Sequence, residues 1–269
     1  MTYVAILLCL ALLCFACAKP QSASDELRNK TESSAAANRG NEVVAEYLRR
    51  DASPFRKSRV RFTITSEGEP TKIYEIETWR RQKDNETATL TRFLLPEEDR
   101  DLASLTVESP NKPTTVTSYS AGRDDYRESG TNKMFFGGLT AGELLGEWEK
   151  FDYRFLGEKT VEGVQVFALE GNLKKAESGV VAKTEVLMRA DIYVPFEIKL
   201  FDKTGQHLRT FKIREVKPDA LGQYAAVTDV ENHVYKTKIL LEVLSREYPA
   251  TMEDSFFTRE NLKAIARSK

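Results

Sequence analysis

The chain has few of the residues that form cross-links and metal sites. Its 269 residues contain three cysteines and two histidines. The cysteines are Cys9, Cys14 and Cys17, so every cysteine lies at the start of the chain. No disulfide can therefore stabilise the rest of the chain, and its stability must come from an apolar core.

The sequence also lacks the common catalytic motifs. With only His207 and His233 present, no His-x-x-x-His metal pair exists. Neither a Gly-x-Ser-x-Gly elbow nor a Gly-x-x-x-x-Gly-Lys phosphate loop occurs. We therefore expect no catalytic residue, no metal ligand and no cofactor. A Ser or Asp acting with one of the two histidines stays open as the basis of a lipid-modifying hydrolase.

Net charge is nearly absent as well. Forty basic residues stand against forty-one acidic ones, which leaves a net charge of −1. A chain without a broad positive field does not gather nucleic acid, so we expect no nucleic-acid partner. Hydrophobic residues make up 41% of the chain, enough for one large β or α/β domain or for two small ones.

The start of the chain is typical of an export signal. The apolar run from Val4 to Ala18 is shorter than the about 20 residues that a spanning helix needs. The run ends in Cys14-Phe15-Ala16-Cys17, which resembles a loose lipobox with Cys17 as the lipidated residue. Ordinary cleavage after Ala18 is the alternative. We expect an exported protein on the periplasmic side, anchored to a membrane by acyl chains on Cys17.

The domain organisation follows from composition. We expect a signal peptide over 1–17, a flexible tether over 18–41 without apolar period, and a single β domain over 42–269. The β domain opens with a short amphipathic helix, Glu42 to Arg50.

After that helix the apolar period changes to two. About a dozen segments of roughly eight residues follow, separated by Gly, Pro, Asn or Asp, as in a meander of β-hairpins. One helix interrupts them at Thr140 to Lys150, with Thr140 as N-cap and Glu143 completing a capping box, and another closes the chain at Thr258 to Arg267. The alternation predicts one apolar and one polar sheet face, and so many strands must close, form a sandwich or curl.

Three short helices can cover only part of such an apolar face, so we expect an apolar cavity. Trp79 and Trp148 are candidates for its mouth, and Phe135-Phe136-Gly137-Gly138 is either a mobile flap or a buried staple before the helix. The acidic segment Asp124 to Glu128 lacks calcium-loop spacing and is expected to be a solvated turn. The candidate lipid-binding residues, each also a candidate for ordinary core, are Val60, Phe62, Ile64, Tyr74, Ile76, Leu90, Leu94, Phe135, Phe136, Phe167, Leu169, Met188, Ile198, Leu200, Phe211 and Ile213.

Several segments together resemble the LolA-like family of outer membrane lipoprotein-sorting proteins. They are Thr91 to Glu98, Met134 to Gly138, Asp152 to Glu158, Asp191 to Asp202 and Phe256 to Leu262. The resemblance spans about Glu42 to Ala266 and rests on the order and spacing of the segments.

The resemblance implies a mainly β fold: an open, half-closed antiparallel β-barrel of about 11–12 strands, with short helices plugging the concave face. It implies a non-enzymatic carrier or chaperone whose apolar cavity shelters acyl chains of lipoproteins or phospholipids during sorting towards the outer membrane. An inner-membrane transporter is then a candidate partner. The alternative hypothesis is a membrane-anchored regulatory protein that binds lipid or lipoprotein and signals to a protein partner.

Overall fold

The computed structural model describes residues 23–50, 52–109, 112–130, 134, 136–174 and 181–268. Contacts divide the chain into two compact units, residues 1–35 and 36–269. The described part of the first unit, residues 23–35, is helical. The second unit contains the whole sheet. The signal peptide, Cys17 and the start of the expected tether lie outside the described residues.

Three α-helices are present: α1 (Ala23–Arg50), α2 (Ala141–Leu145) and α3 (Arg259–Arg267). The first begins well before the expected Glu42, because the alanines of this stretch, with its Leu, Glu, Arg and Lys, favour helix even without an apolar period. The expected helix at 140–150 is divided into α2 and a 3₁₀ turn at Trp148–Lys150. The capping box of α2 is confirmed: the Thr140 side chain accepts from the Glu143 backbone, and the Glu143 side chain accepts from the Thr140 backbone.

Thirteen strands form one antiparallel sheet. They are β1 (Phe55–Ser66), β2 (Lys72–Lys83), β3 (Glu86–Leu95), β4 (Leu102–Ser109), β5 (Lys112–Ser120), β6 (Asp125–Ser129), β7 (Phe151–Val161), β8 (Val164–Leu173), β9 (Lys183–Arg189), β10 (Pro195–Phe201), β11 (His207–Asp219), β12 (Gly222–Asn232) and β13 (Thr237–Glu247).

The sheet consists of two meanders joined side by side. Its order is β6-β5-β4-β3-β2-β1-β13-β12-β11-β10-β9-β8-β7, so the first strand pairs with the last and the two edges are β6 and β7. The predicted fold class, mainly β with an open antiparallel sheet, is confirmed, with thirteen strands in place of about 11–12. The segment expected as a solvated turn contains β6, which the sequence did not reveal because Tyr126 is its one large apolar residue.

One face of the sheet carries a continuous apolar row. Residues directly opposite one another on adjacent strands point to the same face. The row contains, in order across seven strands, Leu169, Val186, Ile198, Phe211, Val230, Ile239 and Ile64. We call this the cavity face, because a cavity opens on it, and the other the opposite face.

The last turns of α1 cover the cavity face at the β7 edge. Val43 and Val44 pack there against Phe167 and neighbouring residues of β7–β9. Gly40 allows the close approach, since a Cβ at this position would lie 2.4 Å from the Tyr153 carbonyl oxygen. The Asn41 side chain accepts a hydrogen bond of 2.9 Å from the backbone N–H of Tyr153, which occupies part of the exposed edge of β7.

Helix α3 packs on the opposite face. Leu90 and Phe93 lie three residues apart on β3 in uninterrupted register, so they point to different faces. Phe93 belongs to the cluster on the cavity face, whereas Leu90 packs beneath Leu262 and Ala266 of α3. At β3 the sheet therefore carries apolar residues on both faces, where we expected one polar face.

An ionic cluster fastens α3 to the sheet. Asp124 accepts hydrogen bonds from Tyr119, Lys263 and Arg267, with both nitrogen–oxygen distances at 2.8 Å. These bonds, that of Lys263 foremost, lower the pKa of Asp124 to about 2.

In the described part of the chain, no helix combines the length and the apolar character needed to cross a membrane.

Candidate functional site

A cavity of about 470 Å³ opens on the cavity face in the half of the sheet formed by β1–β6. This volume is within the range of about 300–1,000 Å³ found for small-molecule sites. The apolar part of the lining consists of Ile64, Pro70, Tyr74, Phe93, Leu102 and Phe136. Ala103 and Tyr119 also border the cavity, although their side chains belong to the cluster beneath α3. The polar part consists of Ser66, Glu69, Lys72, Ser104, Ser118, Ser120, Arg123, Asp125, Arg127 and Thr237, with Gly137 completing the lining.

The apolar wall is organised around Phe136. This ring stacks on Phe62 with centroids 4.5 Å apart, and it contacts Tyr74 at 4.9 Å and Phe93 at 5.7 Å. Phe136 is 7% exposed and faces the cavity on its remaining side. It therefore separates the packed core of the sheet from the open space beside it.

Buried polar side chains hold the backbone that carries Phe136. Asn232 donates to the Gly137 carbonyl at 3.0 Å, and Thr237 donates to the same oxygen at 2.8 Å. Gly137 has φ +60°, and a Cβ there would lie 2.8 Å from the Ile239 side chain. Glycine is thus required both for its backbone conformation and for space. Phe136 occupies the position expected of a buried staple, while Phe135 lies outside the described residues.

A buried ion pair completes this support. Arg209 donates to the Gly138 carbonyl at 2.8 Å, and its Nε lies 3.7 Å from Oε1 of Glu143. Both side chains are 3% exposed. The two facing atoms form no hydrogen bond within the described structure, so the attraction is purely ionic. Arg209 thereby links β11 to both the glycine turn and the cap of α2.

The mouth of the cavity is polar and carries charges of both signs. Asp125 accepts from Arg123 at 3.2 Å and from Arg127 at 3.1 Å. Desolvation raises the pKa of Asp125, but the two arginine bonds outweigh it and hold this pKa below its usual range. Serines contributed by adjacent strands, Ser104 and Ser118, face each other on the wall. The cavity is therefore amphipathic, whereas the sequence predicted an apolar lining.

Burial raises the pKa of Tyr74, and the charges of Asp99 and Glu98 raise it further. Its phenol therefore stays neutral at physiological pH. A neutral hydroxyl on an apolar wall provides a hydrogen-bonding group without the desolvation cost of a charge.

A shallower groove of about 450 Å³ lies around α3 and the end of β13. Its residues include Trp79, Met252 and Phe256. The rings of Trp79 and Phe256 meet edge to face at 5.4 Å, and the Lys57 ammonium lies 5.8 Å from the Trp79 ring. Trp79 pairs with Leu90 in register and so lies on the opposite face, away from the cavity.

The structure divides the expected lining residues among several environments. Ile64, Tyr74 and Phe136 line the cavity. Those in the cluster around Phe136 are Val60, Phe62, Ile64, Tyr74, Ile76 and Phe211. Those beneath α1 are Phe167, Leu169, Met188 and Ile198. Leu94, Leu200 and Ile213 are half-buried, and Leu90 lies under α3 on the face away from the cavity. Leu90 is therefore corrected from a lining residue to core.

The two tryptophans expected at the mouth also lie elsewhere. Trp79 borders the shallow groove, and Trp148 packs against Tyr47 at 5.0 Å beneath α1. The serines and arginines of the mouth were missed by sequence reasoning. Ser118 and Ser120 alternate along β5 and therefore share one face of this strand. The sequence does not show that this face, beside β4, borders the cavity.

A family model described as "-like: Uncharacterized protein" matches residues 85–264, about two thirds of the chain. No curated protein matches the sequence.

Solved structures resemble the chain closely in fold. A DUF1329 family protein from Desulfovibrio piger has a TM-score of 0.78 at 17% identity, covering 84% of this chain and 99% of that one. A domain named for outer membrane lipoprotein sorting, from Vibrio parahaemolyticus, has a TM-score of 0.77 at 18% identity, covering 84% and 99%. A LolA superfamily protein from Nitrosomonas europaea has a TM-score of 0.65 at 11% identity, covering 81% and 98%. At these identities the likeness establishes the fold.

Proposed function

We propose that this chain, which belongs to the family whose model matches residues 85–264 and has a LolA-like fold, is a non-enzymatic carrier that binds acyl chains of lipoproteins or lipids. The binding place is the cavity beside Phe136. The observation that supports this proposal is the cavity of about 470 Å³ on the apolar face, with an apolar wall at one end and a polar mouth at the other.

An amphipathic cavity matches an amphipathic ligand. Each methylene transferred from water to an apolar wall contributes about 0.8 kcal/mol. An apolar cavity of about 150 Å³ already binds benzene, so this one has room for a much longer hydrocarbon. The charged mouth, with Lys72, Arg123 and Arg127, would meet the polar end of the ligand.

Binding is tested with a fluorescent fatty-acid probe and a matched pair of variants. Leu102→Glu places a carboxylate on the cavity wall and should weaken probe binding at least tenfold, because an apolar chain packed there would strip water from this charge. Leu244→Glu changes an exposed leucine that is 41% accessible and should leave binding unchanged. Equal affinities for both variants would place the ligand elsewhere.

A transfer assay distinguishes the carrier from a lipid-sensing regulatory protein. The loaded chain is mixed with acceptor vesicles, and the movement of the labelled lipid or acylated protein is followed. A carrier releases its ligand to the vesicles, whereas a sensor retains it. Neither His207 nor His233 lines the cavity, which favours binding over hydrolysis.

Export and anchoring belong to the same proposal. Cys17 would carry the acyl chains that hold the protein on the periplasmic side of a membrane, and an inner-membrane transporter would supply the cargo. Cys17→Ala should move the protein from the membrane fraction to the soluble fraction. Retention of this variant in the membrane fraction would assign the anchor to another part of the chain.

A further inference from the structure

The chain has only two histidines, and the fold brings them together. His207 begins β11 and His233 follows β12, 26 positions later, yet their ring centroids are 4.0 Å apart. A backbone hydrogen bond of 3.0 Å from His233 to the Leu208 carbonyl fixes the two segments side by side. Because neither ring lines the cavity, acyl binding does not account for this pairing.

The reactive nitrogens of the two rings converge on one point. Nε2 of His207 lies 3.0 Å from the Thr210 hydroxyl, and Nε2 of His233 lies 2.9 Å from the same oxygen. Nε2 of His207 also lies 3.0 Å from the Arg209 carbonyl, which can only accept, so without a metal ion this nitrogen carries a hydrogen, which must move to Nδ1 before the nitrogen binds an ion. The Thr210 hydroxyl then donates to His233, whose Nε2 presents its lone pair.

Ring stacking fixes one member of the pair. Phe201 stacks on His207 with centroids 4.9 Å apart and holds the ring in place.

The spacing fits two ligands of one metal ion. Nitrogens about 2.0–2.1 Å from a common ion are about 2.9 Å apart at a right angle and about 3.4 Å apart at the tetrahedral angle. Two nitrogens that already lie within about 3 Å of one oxygen reach such a distance by small side-chain rotations. Rings this close favour the right angle, which is characteristic of tetragonal Cu²⁺ and Ni²⁺.

The remaining ligands would be oxygen atoms. Glu231 stands directly opposite Thr210 in the register of β11 and β12, on the same face of the sheet. No group of three or more His, Cys, Asp or Glu side chains that is arranged to hold a metal occurs in the described ranges, so two nitrogens are the core of this site. Arg209 is adjacent, but its guanidinium is directed to Gly138 and Glu143.

We propose that His207 and His233 chelate a divalent transition metal ion, with Cu²⁺ as the preferred one. Thr210 lies beside the ion, and water completes its coordination. Cu²⁺ is the strongest binder expected at such a site, ahead of Zn²⁺. The site is separate from the cavity, so the proposal stands independently of acyl binding.

The test is a titration of the full chain in detergent with Cu²⁺, followed by electron paramagnetic resonance. We expect one ion per chain and hyperfine coupling from two nitrogens. His207→Gln and His233→Gln should each weaken Cu²⁺ binding at least tenfold, whereas Thr210→Val, which keeps both nitrogens, should retain it.

Two results would overturn the proposal. Wild-type affinity in both glutamine variants would place the ion elsewhere. A wild-type spectrum without coupling to two nitrogens would do the same, whether or not the variants fold. Acyl-probe binding serves as the control, since it should be the same with and without Cu²⁺.

Discussion

Replacing Phe136 with alanine separates the role of this ring in stability from its role at the cavity. The ring packs against Phe62, Tyr74 and Phe93 and is 7% exposed. A buried Phe→Ala change costs about 3–5 kcal/mol. Because one side of Phe136 already faces open space, we expect the lower end, about 3 kcal/mol, in the free energy of unfolding measured with urea.

Phe257→Ala is the matched control. Phe257 is 8% exposed and packs in the cluster beneath α3, on the face away from the cavity. It should lower the free energy of unfolding by a similar amount, about 3 kcal/mol. Loss of stability alone therefore cannot explain a difference between the two variants in ligand binding.

The assay is a series of fluorescent fatty acids of increasing length, measured where both variants are folded. Phe136→Ala enlarges the cavity, so the preferred chain length should increase relative to wild type. Phe257→Ala should keep the wild-type preference. Equal shifts in the two variants, or an unchanged preference in Phe136→Ala, would show that this ring does not limit the length of the bound chain.

Three further predictions concern the supports of the site and of α3. In urea unfolding, Gly137→Ala should destabilise the protein by at least about 1 kcal/mol more than Gly205→Ala. Both glycines have positive φ, but only a Cβ at position 137 would collide with a side chain. Equal losses of stability would show that this collision does not occur. Arg209→Met should cost about 3–5 kcal/mol by leaving Glu143 buried without its partner, and Glu143→Gln in the same chain should restore part of this; absence of any recovery in the double variant would contradict the ion pair. The pKa of Asp124 is lowered to about 2, so its contribution to stability is complete above about pH 4 and is lost as the pH falls through 2. The stability of Asp124→Asn should lack this loss between pH 4 and pH 2. Identical acid unfolding profiles of wild type and variant would refute the contribution of Asp124.

Much of the fold could be predicted from local pattern. Period-two alternation placed twelve of the thirteen strands, and Thr140 with Glu143 marked the start of α2. These signals succeed because a half-buried strand and a helix cap are determined by residues close in sequence. β6 has no such signal, since Tyr126 stands alone among polar residues.

The site depended on pairings that the sequence does not contain. The spacing of Leu90 and Phe93 puts them on different faces of β3, but the sequence does not tell which face packs against α3 and which faces the cavity. Arg209 and Glu143 are 66 positions apart, so nothing local indicates their pairing. The two histidines likewise meet only because β11 and β12 are neighbours.

The central claim is that the cavity beside Phe136 holds hydrocarbon. Native mass spectrometry of the protein, purified without harsh detergent, tests it most directly when wild type is compared with Leu102→Glu. If the cavity holds hydrocarbon, the wild-type chain carries a bound acyl species that is strongly reduced on the variant. A wild-type chain that carries no acyl species and takes up none when fatty acid is added would contradict it.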